Sequence, residues 1–151
     1  MLFRSFNPQN VDLSSGSVAP ASTVEIMVDS GGQNITGVQV ELQFDPKALA
    51  SVKLLPEANA TSFFGSTVSV LFNDVNTQTG RISYATAIPP GGTPKKGVGK
   101  IATLNFQKAY GAPSSTQIVF LDKTLVTVLG ANQSALKATV PLNIVLSQTP
   151  Q

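Results

Sequence analysis

The chain has 151 residues, 42% of them hydrophobic and only 12% charged, with a net charge of +2. That is enough apolar material for one domain with its own core, and the hydrophobic share argues against disorder. Cysteine and histidine are both absent, which excludes Ser-His-Asp and Cys-His catalysis, takes from zinc its two preferred ligands and leaves the redox compartment open.

The opening residues, MLFRSFNPQN, are too short and too polar for a signal peptide, and residues 1–10 read as a leader that need not belong to the fold. A short first strand is predicted near Val11–Leu13 or Ser17–Val18. Thr23–Asp29 alternates, with Val24, Ile26 and Val28 on one face, and the turn-forming DSGGQN ends it. Gly37–Phe44 alternates more strictly, with Val38, Val40, Leu42 and Phe44 inward and Gln39, Glu41 and Gln43 outward. Such a pattern belongs to a strand that packs on a core by one face. Asp45-Pro46 then stops it, with Asp45 as helix N-cap, Pro46 at the first helical position, and Phe44 and Leu49 placed to form a hydrophobic staple.

Ser51–Leu55 is predicted as a short strand, and PEANATSFFGS as a long connection in which Phe63 and Phe64 can tuck onto the core. Thr67–Asn73 follows with Val68, Val70 and Phe72 inward, then the turn region NDVNTQTG, then Arg81–Ile88 with Ile82 and Tyr84 inward. IPPGGTPKKG is a loop. Gly99–Gln107 sets Ala102, Leu104 and Phe106 on one side, and Thr116–Leu121 and Thr124–Leu129 are two further short strands. The last predicted strand runs from Leu136 to Leu146, with Leu136, Ala138, Val140, Leu142, Ile144 and Leu146 on one face. Pro141 cannot donate to a ladder, so that strand sits at an edge or bulges there. The sum is an all-β chain of about nine strands, a β-sandwich or jelly roll formed by residues 11–146, with residues 147–151 as the start of a linker.

Chemistry finds little to work with. Of the eight carboxylates, Asp29, Asp45, Asp74 and Asp122 stand where strands end, which suits turns and caps. No enzyme and no catalytic residue is predicted. The stretch Asn73-Asp74-Val75-Asn76-Thr77 is rich in oxygen but reads as an Asx turn, so no metal site and no cofactor is expected, with calcium in this loop as the alternative. Only Lys95, Lys96 and Lys100 cluster, which is no basic face for nucleic acid, and no apolar run approaches the roughly 20 residues of a membrane helix. A sugar-binding platform would draw on Phe63, Phe64, Tyr84 and Tyr110, without any tryptophan. Three triplets, at Asn34, Asn59 and Asn132, match the N-glycosylation pattern.

Three motifs in order carry a resemblance. The run ending in Leu42, Phe44, Asp45, Pro46 and Leu49, followed by Thr79-Gly80-Arg81-Ile82 and then by Gly99, Ile101, Ala102, Leu104 and Phe106, resembles cohesin domains over roughly Thr23 to Leu146. The resemblance implies a nine-stranded jelly-roll sandwich without catalysis, related in architecture to carbohydrate-binding modules. It also implies a protein partner, dockerin-like or unknown, bound through one sheet face. Such modules sit in larger exported or cell-surface proteins beside other modules of the same chain. Cellulosomal members tend to carry Asn and Asp where Gly37 and Gln39 stand, which marks this chain as the non-cellulosomal type.

If the three strands around residues 37–44, 67–73 and 81–88 share a sheet, their outward residues form a low-charge surface with one apolar centre. The candidate partner-binding residues are Gln39, Glu41, Gln43, Ser69, Leu71, Arg81 and Ser83, beside Thr67 and Ala85. Carbohydrate binding, to a polysaccharide, and a structural spacer role are the alternatives.

Overall fold

The computed structural model describes residues 3–13, 21–56, 62–65, 68–121, 124–128 and 138–146. In chain order the strands are β1 (Phe3–Asn7), β2 (Asn10–Asp12), β3 (Ala21–Asp29), β4 (Ile35–Gln43), β5 (Leu49–Pro56) and β6 (Ser69–Asn76). They continue with β7 (Arg81–Ala87), β8 (Val98–Lys108), β9 (Ser115–Phe120), β10 (Leu125–Val128), β11 (Ala138–Thr139) and β12 (Leu142–Val145). One sheet has the order β11-β1-β3-β8-β5, and the other β2-β12-β9-β4-β7-β6, with β10 also on β4. The two sheets enclose one core, so the molecule is a β-sandwich.

The twelve strands reduce to nine lengths of chain. β1 and β2 are two halves of one length, as are β9 and β10, and β11 and β12. Pro8 and Pro141 each remove a ladder donor where the chain leaves one sheet for the other. β1 pairs with β11 in the first sheet, and β2 with β12 in the second, both parallel. The predicted last strand is therefore cut in two at Pro141. Its inward set is nonetheless as expected at Leu142, Ile144 and Leu146, all buried.

The leader assigned to residues 1–10 needs correction. Phe3–Asn7 pairs with β3 along its whole length, and Phe6 is buried, its ring 4.9 Å from that of Phe120. In these five residues the two apolar positions, Phe3 and Phe6, are three apart and do not alternate, so only pairing with a distant strand reveals this strand.

Alternation elsewhere finds the core. Val24, Ile26 and Val28 on β3, Val38, Val40 and Leu42 on β4, Ile82 and Tyr84 on β7, and Ala102, Leu104 and Phe106 on β8 are all buried. Burying each large side chain of this kind contributes about 1.5–3 kcal/mol. Phe63 and Phe64 form an edge-to-face pair at 5.0 Å, and Phe63 donates its backbone N–H to the Lys100 carbonyl. A Cβ on Gly99 would stand 3.1 Å from Phe63 Cα, so this glycine makes room for the connection to tuck in.

Asp45 caps, but what it caps is a single turn. Its Oδ1 accepts from Lys47 N at 2.8 Å, and its carbonyl accepts from Ala48 N at 2.9 Å and Leu49 N at 3.1 Å. The helix goes no further because β5 begins at Leu49, pairing with Lys108 of β8. Phe44 and Leu49 are both buried in the core. Close by, the β6–β7 turn closes on Gly80, whose φ is +80° and where a Cβ would lie 1.9 Å from the Phe44 carbonyl oxygen.

The gap between β9 and β10 is closed by one hydroxyl. Phe120 pairs with Leu42 and Leu125 with Gln39, so Glu41 faces the break. Its N–H donates to Thr124 Oγ1 at 3.0 Å, and that hydroxyl donates to the Glu41 carbonyl at 3.0 Å. Leu121 N donates to the same carbonyl at 2.7 Å. Thr124 is 2% exposed.

Three substitutions test these local accounts by urea denaturation. Thr124→Val should cost about 1–3 kcal/mol, because the buried Glu41 N–H loses its acceptor. Asp45→Ala should cost about 1 kcal/mol as a lost cap. Gly80→Ala should exceed both, since it combines a clash with a left-handed backbone.

Candidate partner-binding face

The outer face of β4, β7 and β6 is set by the register of three strands. β4 and β7 pair Gly37 with Ala87, Gln39 with Ala85, Glu41 with Ser83 and Gln43 with Arg81. Residues directly opposite share a face, so these eight stand outward together. β6 extends the rows: Ser69 opposes Ala87, Phe72 opposes Ala85, Asp74 opposes Ser83 and Asn76 opposes Arg81.

The register of β6 shifts between Val70 and Phe72, which leaves Leu71 as an inserted bulge residue. One extra residue turns the strand over, and this corrects the inward assignment of Phe72. Phe72 lies on the outer face and is 41% exposed, beside Leu71 at 63%. Val70 keeps the inward row, opposite the buried Thr86, yet is 42% exposed because β6 is the last strand of its sheet. Inward past the bulge come Asn73 and Val75, and Asn73 Nδ2 donates to the Leu54 carbonyl of β5 at 3.0 Å. The stretch Asn73–Asn76 is thus strand, and the turn follows it, where Asn76 Oδ1 accepts from Gln78 N and Thr79 N, each at 3.0 Å.

Glu41 faces outward and is still 5% exposed. Its Oε1 accepts from Gln39 Nε2 at 3.0 Å, and its Oε2 accepts from Ser83 Oγ at 2.5 Å and lies 3.4 Å from Arg81 Nε. Three donors therefore compensate one carboxylate removed from water. The Arg81 side chain remains 41% exposed. Held through Nε, its guanidinium presents its end to solvent. Asp74, one strand away in the next row, is exposed and has no ion-pair partner among the described residues.

The seven candidate residues thus divide by role. Gln39, Glu41, Ser83 and Arg81 come together as one network. Gln43 is spent on the scaffold, its Nε2 donating to the Phe44 carbonyl at 3.0 Å and the Thr79 carbonyl at 2.7 Å. Ser69 and Leu71 lie on the exposed β6 and make none of the network's bonds. Ala85 is on this face but only 4% exposed, and Thr67 lies outside the described residues. Sequence reasoning did not place Phe72 and Asp74 on this face, because nothing local in Ser69–Asn76 announces a bulge. Of the aromatic residues a sugar platform would draw on, Tyr84 and Phe64 are buried, Phe63 packs edge-to-face on Phe64, and Tyr110 is exposed on the turn after β8.

No protein-family model matches the sequence, and no curated protein matches it. Solved structures share its fold. CaCohA2 from Clostridium acetobutylicum, determined in solution, superposes with a TM-score of 0.71 at 15% identity, over 99% of this chain and 93% of that one. The third ScaC cohesin of Acetivibrio cellulolyticus, in complex with the ScaB dockerin, gives 0.69 at 17% identity, over 98% and 100%. A type II cohesin domain from the cellulosome of the same organism gives 0.65 at 16% identity, over 95% and 93%. With two facing sheets, nine lengths of chain and the Asp-Pro strand inside the larger sheet, this chain has the cohesin fold.

Proposed function

We propose that this domain is a non-catalytic interaction module of a larger exported or cell-surface protein, and that it takes a protein partner of the dockerin kind on the outer face of β4, β7 and β6. One observation carries the reading: Leu71 and Phe72 stand exposed on the sheet face beside the Gln39–Glu41–Ser83–Arg81 network. A small apolar centre with a polar surround is the layout of a protein-binding hot spot. The cohesin fold supports the choice of partner, since several similar structures are complexes with dockerins. Gly37 and Gln39 replace the Asn and Asp of the cellulosomal pattern, so the contacts here rest more on Leu71, Phe72 and Arg81.

Titration calorimetry against a panel of purified dockerin modules tests this. At least one should bind the domain. Leu71→Glu should leave the melting temperature within a few degrees and weaken that complex about a hundredfold or more, because the new charge is buried without a counter-ion. Binding to none of the panel would reject the dockerin-like partner. Unchanged affinity of Leu71→Glu would move the site off this face.

A further inference from the structure

We propose that the opposite side of the sandwich carries a second site, a groove on the outer face of the five-stranded sheet that takes the carboxylate of an acidic sugar. The groove lies where the edge strand β5 departs from its neighbour. β5 and β8 pair Ala50 with Gln107 and Lys53 with Asn105, so Ser51 and Val52 together oppose Phe106. Val52 turns into the core, and Ser51 is left outward with a φ of +52°. That backbone region is strained for a residue with a Cβ, and strain held inside a sheet concentrates at functional positions.

The donors around this bulge point to the ligand. Thr23 Oγ1 donates to Asn105 Oδ1 at 2.9 Å. With Oδ1 turned to Thr23 on β3, the Asn105 NH₂ is directed to the β5 side. Lys53 stands directly opposite Asn105 on β5, exposed and without an ion-pair partner among the described residues. An ammonium and an amide NH₂ side by side fit one acceptor-rich anion, a carboxylate. The Ser51 hydroxyl and the Gln107 amide extend the lining with groups that both donate and accept, as vicinal sugar hydroxyls require. Phe106 keeps its ring in the core, so the groove offers no aromatic face for a neutral sugar. Its volume of about 370 Å³ is at the small end for ligand pockets and suits one or two sugar rings. Glu25 lies one row away, opposite Thr103, and bounds the anion site on that side.

The test is a titration of the isotope-labelled domain followed by NMR, with trigalacturonate, its methyl ester, cellotriose and an acetylated glutamate tripeptide as probes. Trigalacturonate should shift the amide signals of Thr23, Ser51, Lys53, Asn105 and Gln107, and the ester and cellotriose should not. Lys53→Glu should weaken trigalacturonate binding at least tenfold and Lys53→Arg should retain it, both with unchanged melting temperature. Leu71→Glu should bind trigalacturonate as the parent does, so failure here and failure of the dockerin-like partner are separate results. Absence of binding, or binding indifferent to Lys53→Glu, overturns the site. A tripeptide that binds as tightly as trigalacturonate overturns the sugar as its ligand.

Discussion

Burial of one face of β4 is the interaction on which the remaining structure depends. Val38, Val40 and Leu42 are at most 3% exposed, and β4 is paired with β7 on one side and with β9 and β10 on the other. A slip of one residue would carry Gln39 and Glu41 into the core and Val40 into water. The apolar period therefore locks the register, and the register in turn decides what stands on the outer face. Gln39 meets Ala85 and Glu41 meets Ser83 for no reason of their own. They are where the core puts them.

Glu41 shows how the core and the outer face are coupled. Its backbone N–H would be left unpaired at the β9–β10 break, where its carbonyl already accepts from Leu121 N, and the Thr124 hydroxyl supplies the missing acceptor. Its side chain lies above that stitch and is satisfied by Gln39, Ser83 and Arg81. A buried carboxylate held this way is poor as a contact residue and useful as an anchor. It fixes where the exposed guanidinium of Arg81 can go.

Both sheets end on that side of the molecule in a bulged edge strand, β5 at Ser51 and β6 at Leu71. Bulges twist an edge away from further pairing and re-aim side chains. In β6 the effect is to bring Leu71 and Phe72 onto one exposed surface, and in β5 it opens a groove beside Lys53. The same device that protects the edges therefore shapes the two surfaces proposed for binding, one apolar and one rich in donors.

The sequence by itself determined the sandwich and most of its core. Val24, Ile26 and Val28, Val38, Val40 and Leu42, and Leu142, Ile144 and Leu146 were legible because a strand buried on one face must alternate, and alternation is written in neighbouring residues. Asp45 was legible as a cap for the same reason, since the group it serves is two residues away. Tertiary structure alone decided the rest. It made a strand of Phe3–Asn7, held the Asp45 turn to one turn, inserted Leu71 and so exposed Phe72, and buried Glu41 on an outward face. Each of these depends on which distant strand lies alongside, and pairing between residues far apart in the chain leaves no period in either one.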